Sequence, residues 1–341
     1  MTIENEAFID IEMMLHNAVD ELWQQQWLET QKELTKLANA GEWEAAFKIA
    51  NNIEMQSIAS EVEGLARTLA EAALFLGASR VTPPAESSFF GAPNEHMIET
   101  GVQQWSIVLI RNATIALQTQ AEITLADLER KMQEKKLNLI IKADPDLGRV
   151  GRQGTQFSRA AAALMVSRLS TAGFMQEASA RGIKQYRVSE VMDSVTCPVC
   201  SLMHNKTYPL AAGLALSTTV MQATDPESLK AVSPFPSQSA GNVKALSSMS
   251  QGQLIGAGLN LPPYHPGCRG IATVEATTQG AALTLGGSAI QSGVLLSPSS
   301  DLTPDELAAR MFGDFDNLDD VYLDTLFGTG AAALYGDNEV E

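Results

Sequence analysis

All three cysteines of this chain fall into two short motifs with the same internal spacing: Cys197-Pro198-Val199-Cys200 and, 64 residues further on, His265-Pro266-Gly267-Cys268. No other feature restricts the fold so tightly. A Cys-x-x-Cys knuckle sets two thiolates on one tight turn, and His-x-x-Cys offers an imidazole and a thiolate at the same separation. Together they form a Cys₃His set, the closed four-ligand coordination of a structural zinc site. Sulfur and imidazole suit Zn²⁺, whereas Ca²⁺ or Mg²⁺ would call for oxygen. The long gap is no obstacle. Closure entropy grows by only about 0.6 kcal/mol per doubling of the loop, against zinc binding on the order of 10 kcal/mol in small peptides. Read alone, Cys197 and Cys200 would equally suit a redox pair or two buried thiols. His204 is a substitute ligand on spacing, although an exposed turn histidine is the simpler reading. His16 and His96 sit on distant helical stretches and need no role.

The rest of the sequence is organised around that constellation. With 341 residues the chain is long enough for about two folding units. Its 40 acidic and 23 basic side chains give a formal charge of −17, which disfavours general binding to nucleic acid or anionic membrane. No apolar run approaches a membrane span, and the acidic Met1–Glu6 segment does not read as a secretory signal. An odd, small cysteine count points to a reducing compartment.

Residues 1–82 read as helix. Phe8, Ile11, Leu15, Ala18 and Leu22 share one face, as do Ile58, Val62, Leu65, Leu69 and Leu76, with Gly77 placed as a left-handed C′ residue. Trp43, Phe47, Ala50 and Ile53 mark a shorter stretch between them. A Pro- and Ser-rich linker at 83–95 follows. Helix resumes over 96–182, first with Ile98, Val102, Trp105, Leu109 and Ala113, then around Leu125, Leu128 and Met132. A further helix from about 153 to 181 carries Phe157, Ala161, Leu164, Met165, Ala172 and Met175, and Gly182 is placed to end it. Residues 183–275 read as a small α+β module. Tyr186 and Val188 alternate with Gln185, Arg187 and Ser189 as in a strand, and a Ser/Gly-rich insertion at about 209–261 reads as loops. Residues 276–341 form a low-charge linker and an acidic tail; the last 41 residues alone carry a net −10. Within them Thr303 would cap a short helix opened by Pro304. Asp314–Asp320 only faintly resembles a calcium loop, lacking the glycine and terminal glutamate of an EF-hand. The expected fold is therefore a mainly α body, then a zinc-stabilised α+β module with long loops and an acidic tail.

In the order Tyr186-Arg187-Val188, Asp193, Thr196-Cys197-Pro198-Val199-Cys200, His204-Asn205-Lys206-Thr207-Tyr208 and Pro262-Pro263-Tyr264-His265-Pro266-Gly267-Cys268-Arg269, the sequence resembles the phage Mu F-like minor head protein family. The likeness covers roughly residues 150–275. It implies a low-copy head morphogenesis protein of a tailed phage, made in the host cytoplasm, residing inside the capsid and associated with the portal or inner capsid surface. Some members travel with the DNA on ejection. The metal-type residues fall on Cys197, Cys200, His265 and Cys268. Two positions depart from the family: Gly270 stands where many members have cysteine, and Asn205 replaces a turn glycine, a role asparagine tolerates.

Two alternatives belong beside this expectation. Arg130, Lys131, Lys135, Lys136, Lys142, Arg149, Arg152 and Arg159 make a local net +5 that would suit packaged DNA or an acidic partner, or simply a solvated helix face. An enzyme, such as a zinc hydrolase or thiol oxidoreductase, is the weaker reading. Four protein ligands leave no open position on zinc. The His-x-Glu of zinc deaminases, Walker A, Gly-x-Ser-x-Gly and His-Glu-x-x-His are all missing.

Overall fold

A computed structural model describes residues 3–81, 94–135, 145–194 and 196–274. The linker at 83–95, apart from its last two residues, and the acidic tail with its Thr303 cap and Asp314–Asp320 segment lie outside the described residues, as do Lys136 and Lys142. The chain is mainly helical, with one small sheet.

The body contains α1 (Ile3–Ala40), α2 (Trp43–Ala50), α3 (Gln56–Ser79), α4 (Glu95–Ile107), a π-helical segment (Val108–Ala113), α5 (Thr114–Lys135) and α6 (Pro145–Ala180). Their apolar stripes meet in one core, and α6 is the central element, packed against both α1 and α3. Most expected stripes are buried. On α1, however, the buried line runs through Leu15, Val19, Trp23, Trp27 and Leu34, while Ala18 and Leu22 are only half-buried. The tryptophans stack on each other at 5.7 Å between ring centroids. They lie where α6 has no side chain: a Cβ at Gly154 would come within 2.1 Å of Trp23, and one at Gly151 within 2.4 Å of Trp27.

Gly77 is not a helix terminator. It lies within α3, where a Cβ would stand 1.7 Å from the Ser170 carbonyl oxygen; one at Gly173 would stand 1.9 Å from that of Leu74. Residues without side chains let two backbones approach, and here both helices use them at one crossing. Gly182, with φ +69°, does follow α6 as the sequence predicts. That helix starts earlier than expected, at Pro145.

A polar line runs from this core to its exposed edge. On α1, Glu12, His16, Asp20 and Gln24 recur every fourth residue and so share a face. His16 Nδ1 lies 2.7 Å from Ser158 Oγ, Thr155 Oγ1 donates to Asp20 at 2.6 Å, and Gln24 donates to Thr155 at 2.7 Å. Burial raises the Glu12 carboxyl to about 7, against the lowering effect of Arg159, and lowers His16 to about 4. Both are thereby favoured in their neutral forms near neutrality, because desolvation penalises charge.

α6 then enters a second core, where Phe174, Met175 and Ala178 pack under the sheet. The strands β1 (Gln185–Ser189), β2 (Thr207–Pro209) and β3 (Ile271–Val274) are antiparallel in the order β2-β1-β3. Tyr186 faces Tyr208 on one side and Val274 on the other. Helix α7 (Pro198–Met203) precedes β2. The segment expected as loops instead folds into α8 (Leu210–Val220), α9 (Pro226–Val232), α10 (Ala240–Ser247) and α11 (Gln251–Gly256). Low charge misled the sequence reading. Three of the four carry a side-chain N-cap, from Asp225, Ser239 and Ser250, the last a full capping box with Gln253. Leu210, Leu229, Leu246 and Leu254 bury the inward faces. Body and module are also stitched directly: Gln104 on α4 donates to the carbonyls of Val220 and Ala223, each at 2.8 Å.

Candidate metal centre

The two ligand motifs are carried by different local devices. Cys197 is the N-cap of α7, with Pro198 at the first helical position, and its sulfur accepts the Cys200 backbone N–H at 3.2 Å. That single turn aims Cys200 inward, where it is 4% exposed. The second motif lies just before β3. The Cys268 N–H donates to the His265 carbonyl at 3.1 Å, closing a tight turn in which Gly267 has φ +72°. Pairing of β3 with β1 brings this turn to α7, across the 64 intervening residues.

The four predicted ligands gather about Cys200, in two overlapping sets rather than one. Cys200 Sγ is 3.1 Å from His265 Nε2 and 3.7 Å from Cys268 Sγ. A tetrahedral ion with bonds of about 2.3 Å to sulfur separates two sulfurs by about 3.8 Å, so the latter spacing suits shared coordination. It is far too long for a disulfide, and all three cysteines are free. His265 Nδ1 lies 2.7 Å from the Pro266 carbonyl, to which it donates, leaving Nε2 as the atom facing the sulfurs.

The sequence reading missed a fifth group. Potential ligand atoms form two overlapping triads that share Cys200: Cys197–Cys200–His265 and Glu190–Cys200–Cys268. Glu190 directly follows β1, is buried, and holds both carboxylate oxygens 3.9 Å from Cys268 Sγ. A Cβ at position 270 would come within 2.0 Å of its Oε1, so Gly270 makes room for it. The signal was present only as a carboxylate at the end of a buried strand and as the departure from cysteine at 270.

His204 is not part of either triad. Its Nδ1 accepts the Glu190 backbone N–H at 3.0 Å, which fixes the turn after α7. Asn205 next to it adopts φ 62°, as its substitution for glycine requires. Arg269 forms a two-pronged ion pair with Asp193, at 2.6 and 2.7 Å, tying the loop before α7 to the second ligand motif. Three tyrosines of the resembling stretch, Tyr186, Tyr208 and Tyr264, are fully buried beneath the centre.

So many anionic groups in so little space cannot all shed their protons. The Cys197 thiol is lowered to about 4, first by the hydrogen bond it accepts from Cys200, and His265 is raised to about 9 by that thiolate, against the effect of its own burial. Burial raises Cys268, but Cys200 and the His265 cation outweigh it and hold the thiol at about 6. Cys200 is driven up by its thiolate neighbours, and Glu190 by burial. Near neutrality these shifts leave two thiolates, Cys197 and Cys268, against one imidazolium, a surplus of negative charge that a divalent cation would relieve while displacing remaining protons. These side chains form an arrangement able to hold a metal ion.

The basic segment has a different character. Arg130 pairs with Asp127 and Glu134, and Lys131 with Asp127 at 2.6 Å, all along one exposed face of α5. Lys135 ends α5, while Arg149, Arg152 and Arg159 lie on α6. Local acids thus offset at least two of the eight charges. No described helix is long and apolar enough to cross a membrane. The chain matches no family model, no curated protein and no solved structure.

Proposed function

We propose that this is a structural head protein of the phage Mu F-like minor head type, in which a zinc ion locks a small module onto a helical body. The observation that supports the reading is that Cys200 joins two triads of potential ligands, one with Cys197 and His265 and the other with Cys268 and Glu190, in a chain that carries the motif set out above. Cys200 and Cys268 stand 3.7 Å apart across a 68-residue separation. The other motif residues have structural tasks around this cluster. Asp193 and Arg269 brace the loops, Asn205 makes the turn, and the tyrosines fill the core. Such a division of labour suits a ligand set that fixes a fold.

When bound, zinc would supply a cross-link rather than a reactive water, since three thiolates and an imidazole fill a tetrahedral site. The residues of this chain hold and orient that cross-link. His265 is aligned by the Pro266 carbonyl, and Cys197 is presented by the start of α7. Glu190 is a buried acceptor beside Cys268 that can take up the thiol proton or join the coordination. On this reading the protein resides in the capsid interior, against the portal or inner capsid wall, after assembly in the host cytoplasm. Mass spectrometry of purified particles, with the zinc-to-protein ratio measured on the same material, tests it. The expected result is the chain present at low copy with one zinc each; its absence from both procapsids and virions would contradict the assignment.

A further inference from the structure

Where body and module meet, Arg168 on α6 faces a recess of about 270 Å³, counted to its open mouth. Thr171 lies one turn further along the same helix. Ser217 of α8, Ser233 after α9 and the Pro262-Pro263 pair complete the polar and apolar walls. No carboxylate lines the recess. Unlike Arg130 or Arg269, Arg168 makes no ion pair among the described residues, and desolvation lowers its guanidinium to about 10. A guanidinium has five donors in a fixed fork and no means of shedding its charge near neutrality. Arg168 is half-buried, so its guanidinium keeps some contact with water while presenting these donors to the recess.

We propose that this recess is an anion site, in which Arg168 and the surrounding hydroxyls receive an oxyanion, a phosphate or a carboxylate group. Guanidinium and hydroxyl donors are the groups that bind such oxygens with charge-assisted hydrogen bonds. The site is built from the body helix α6, from α8, and from Ser233 and the Pro262-Pro263 segment, so an occupant bridges the two halves of the molecule. It does not depend on the metal centre or on the head-protein reading.

The test uses the full chain in chloride buffer, titrated with inorganic phosphate or acetate at constant ionic strength. Melting temperature and, for phosphate, the ³¹P line width are followed. A saturable rise with phosphate alone assigns a phosphate site, with acetate alone a carboxylate site, and with both a general oxyanion site. Arg168→Met should weaken the effect at least about tenfold, the loss of one charge-assisted contact. Ser233→Asp should fold and abolish it by placing a carboxylate in the same recess, and this variant decides the matter if Arg168→Met does not fold. No saturable effect of either anion, or an effect undiminished in both variants, overturns the proposal.

Discussion

The body and the module solve the same problem with different means. The body buries long apolar stripes from four long helices, and at its tightest points it removes side chains altogether: Gly77 against Gly173, and Gly151 and Gly154 beneath two tryptophans. The module has strands of three to five residues and helices of six to eleven. Elements so short bury little and are marginal on their own. They are held by point connections: caps, the Asp193–Arg269 fork, the hydrogen bonds of buried tyrosine and, on the proposed reading, a metal. A long helix can draw its stability from area. A short element needs a knot.

The contrast predicts where damage travels. Chelation of zinc should have the largest effect, because structural zinc is worth on the order of 10 kcal/mol where it has been measured in peptides. Hydrogen exchange should show protection lost in β1, α7 and β3 while α1 and α3 stay protected; uniform loss would mean that the body depends on the module. Next comes Gly173→Ala, whose new methyl would overlap the Leu74 carbonyl. It should cost about 3 kcal/mol or more in thermal melts and lower the body transition without releasing zinc.

A smaller effect separates the cores by pH. Glu12 keeps its proton up to about pH 7 in the folded chain and only to about 4.5 when unfolded. Its contribution is full below pH 4.5 and is lost as the pH rises through 7. His16 works the other way, its neutral form losing stability as the pH falls from about 6.5 to about 4. Glu12→Gln should therefore gain up to about 3 kcal/mol at pH 8 and close to nothing at pH 4.5, measured by denaturant melts. A gain equal at both pH values would remove desolvation as the cause. On the proposed reading, acidification acts on the module independently, since protons would compete with the metal for its thiolates and His265. The smallest effect is expected from Arg269→Lys, which replaces the fork by a point charge. A loss of about 1 kcal/mol in the module, with faster zinc release to a chromophoric chelator, would match the bracing role.

What the sequence made legible divides along the same line. Residue types with few alternatives could be read directly: the clustering of the three cysteines with His265, the left-handed Asn205, the alternation of Tyr186 and Val188, and the helix end at Gly182. Features defined only by a neighbour could not. Gly77 carries the same signature whether it ends a helix or admits another backbone, and only Ser170 across the crossing decides between them. The burial of Trp23 and Trp27 depends likewise on Gly151 and Gly154, which leave room for them on the facing helix. Residues 210–256 were misread because few charges suggested loops, although Asp225, Ser239 and Ser250 are ordinary helix caps. Glu190 was invisible because a carboxylate beside a strand is usually solvated; here Gly270 opens a buried place for it.

The most direct test of the account is zinc-edge X-ray absorption on the purified full-length chain. It predicts one ion per chain, with three sulfurs near 2.3 Å and one nitrogen near 2.0 Å in the shell. A chain that folds with the same exchange protection while binding no metal, or with two of its cysteines joined as a disulfide, would contradict it.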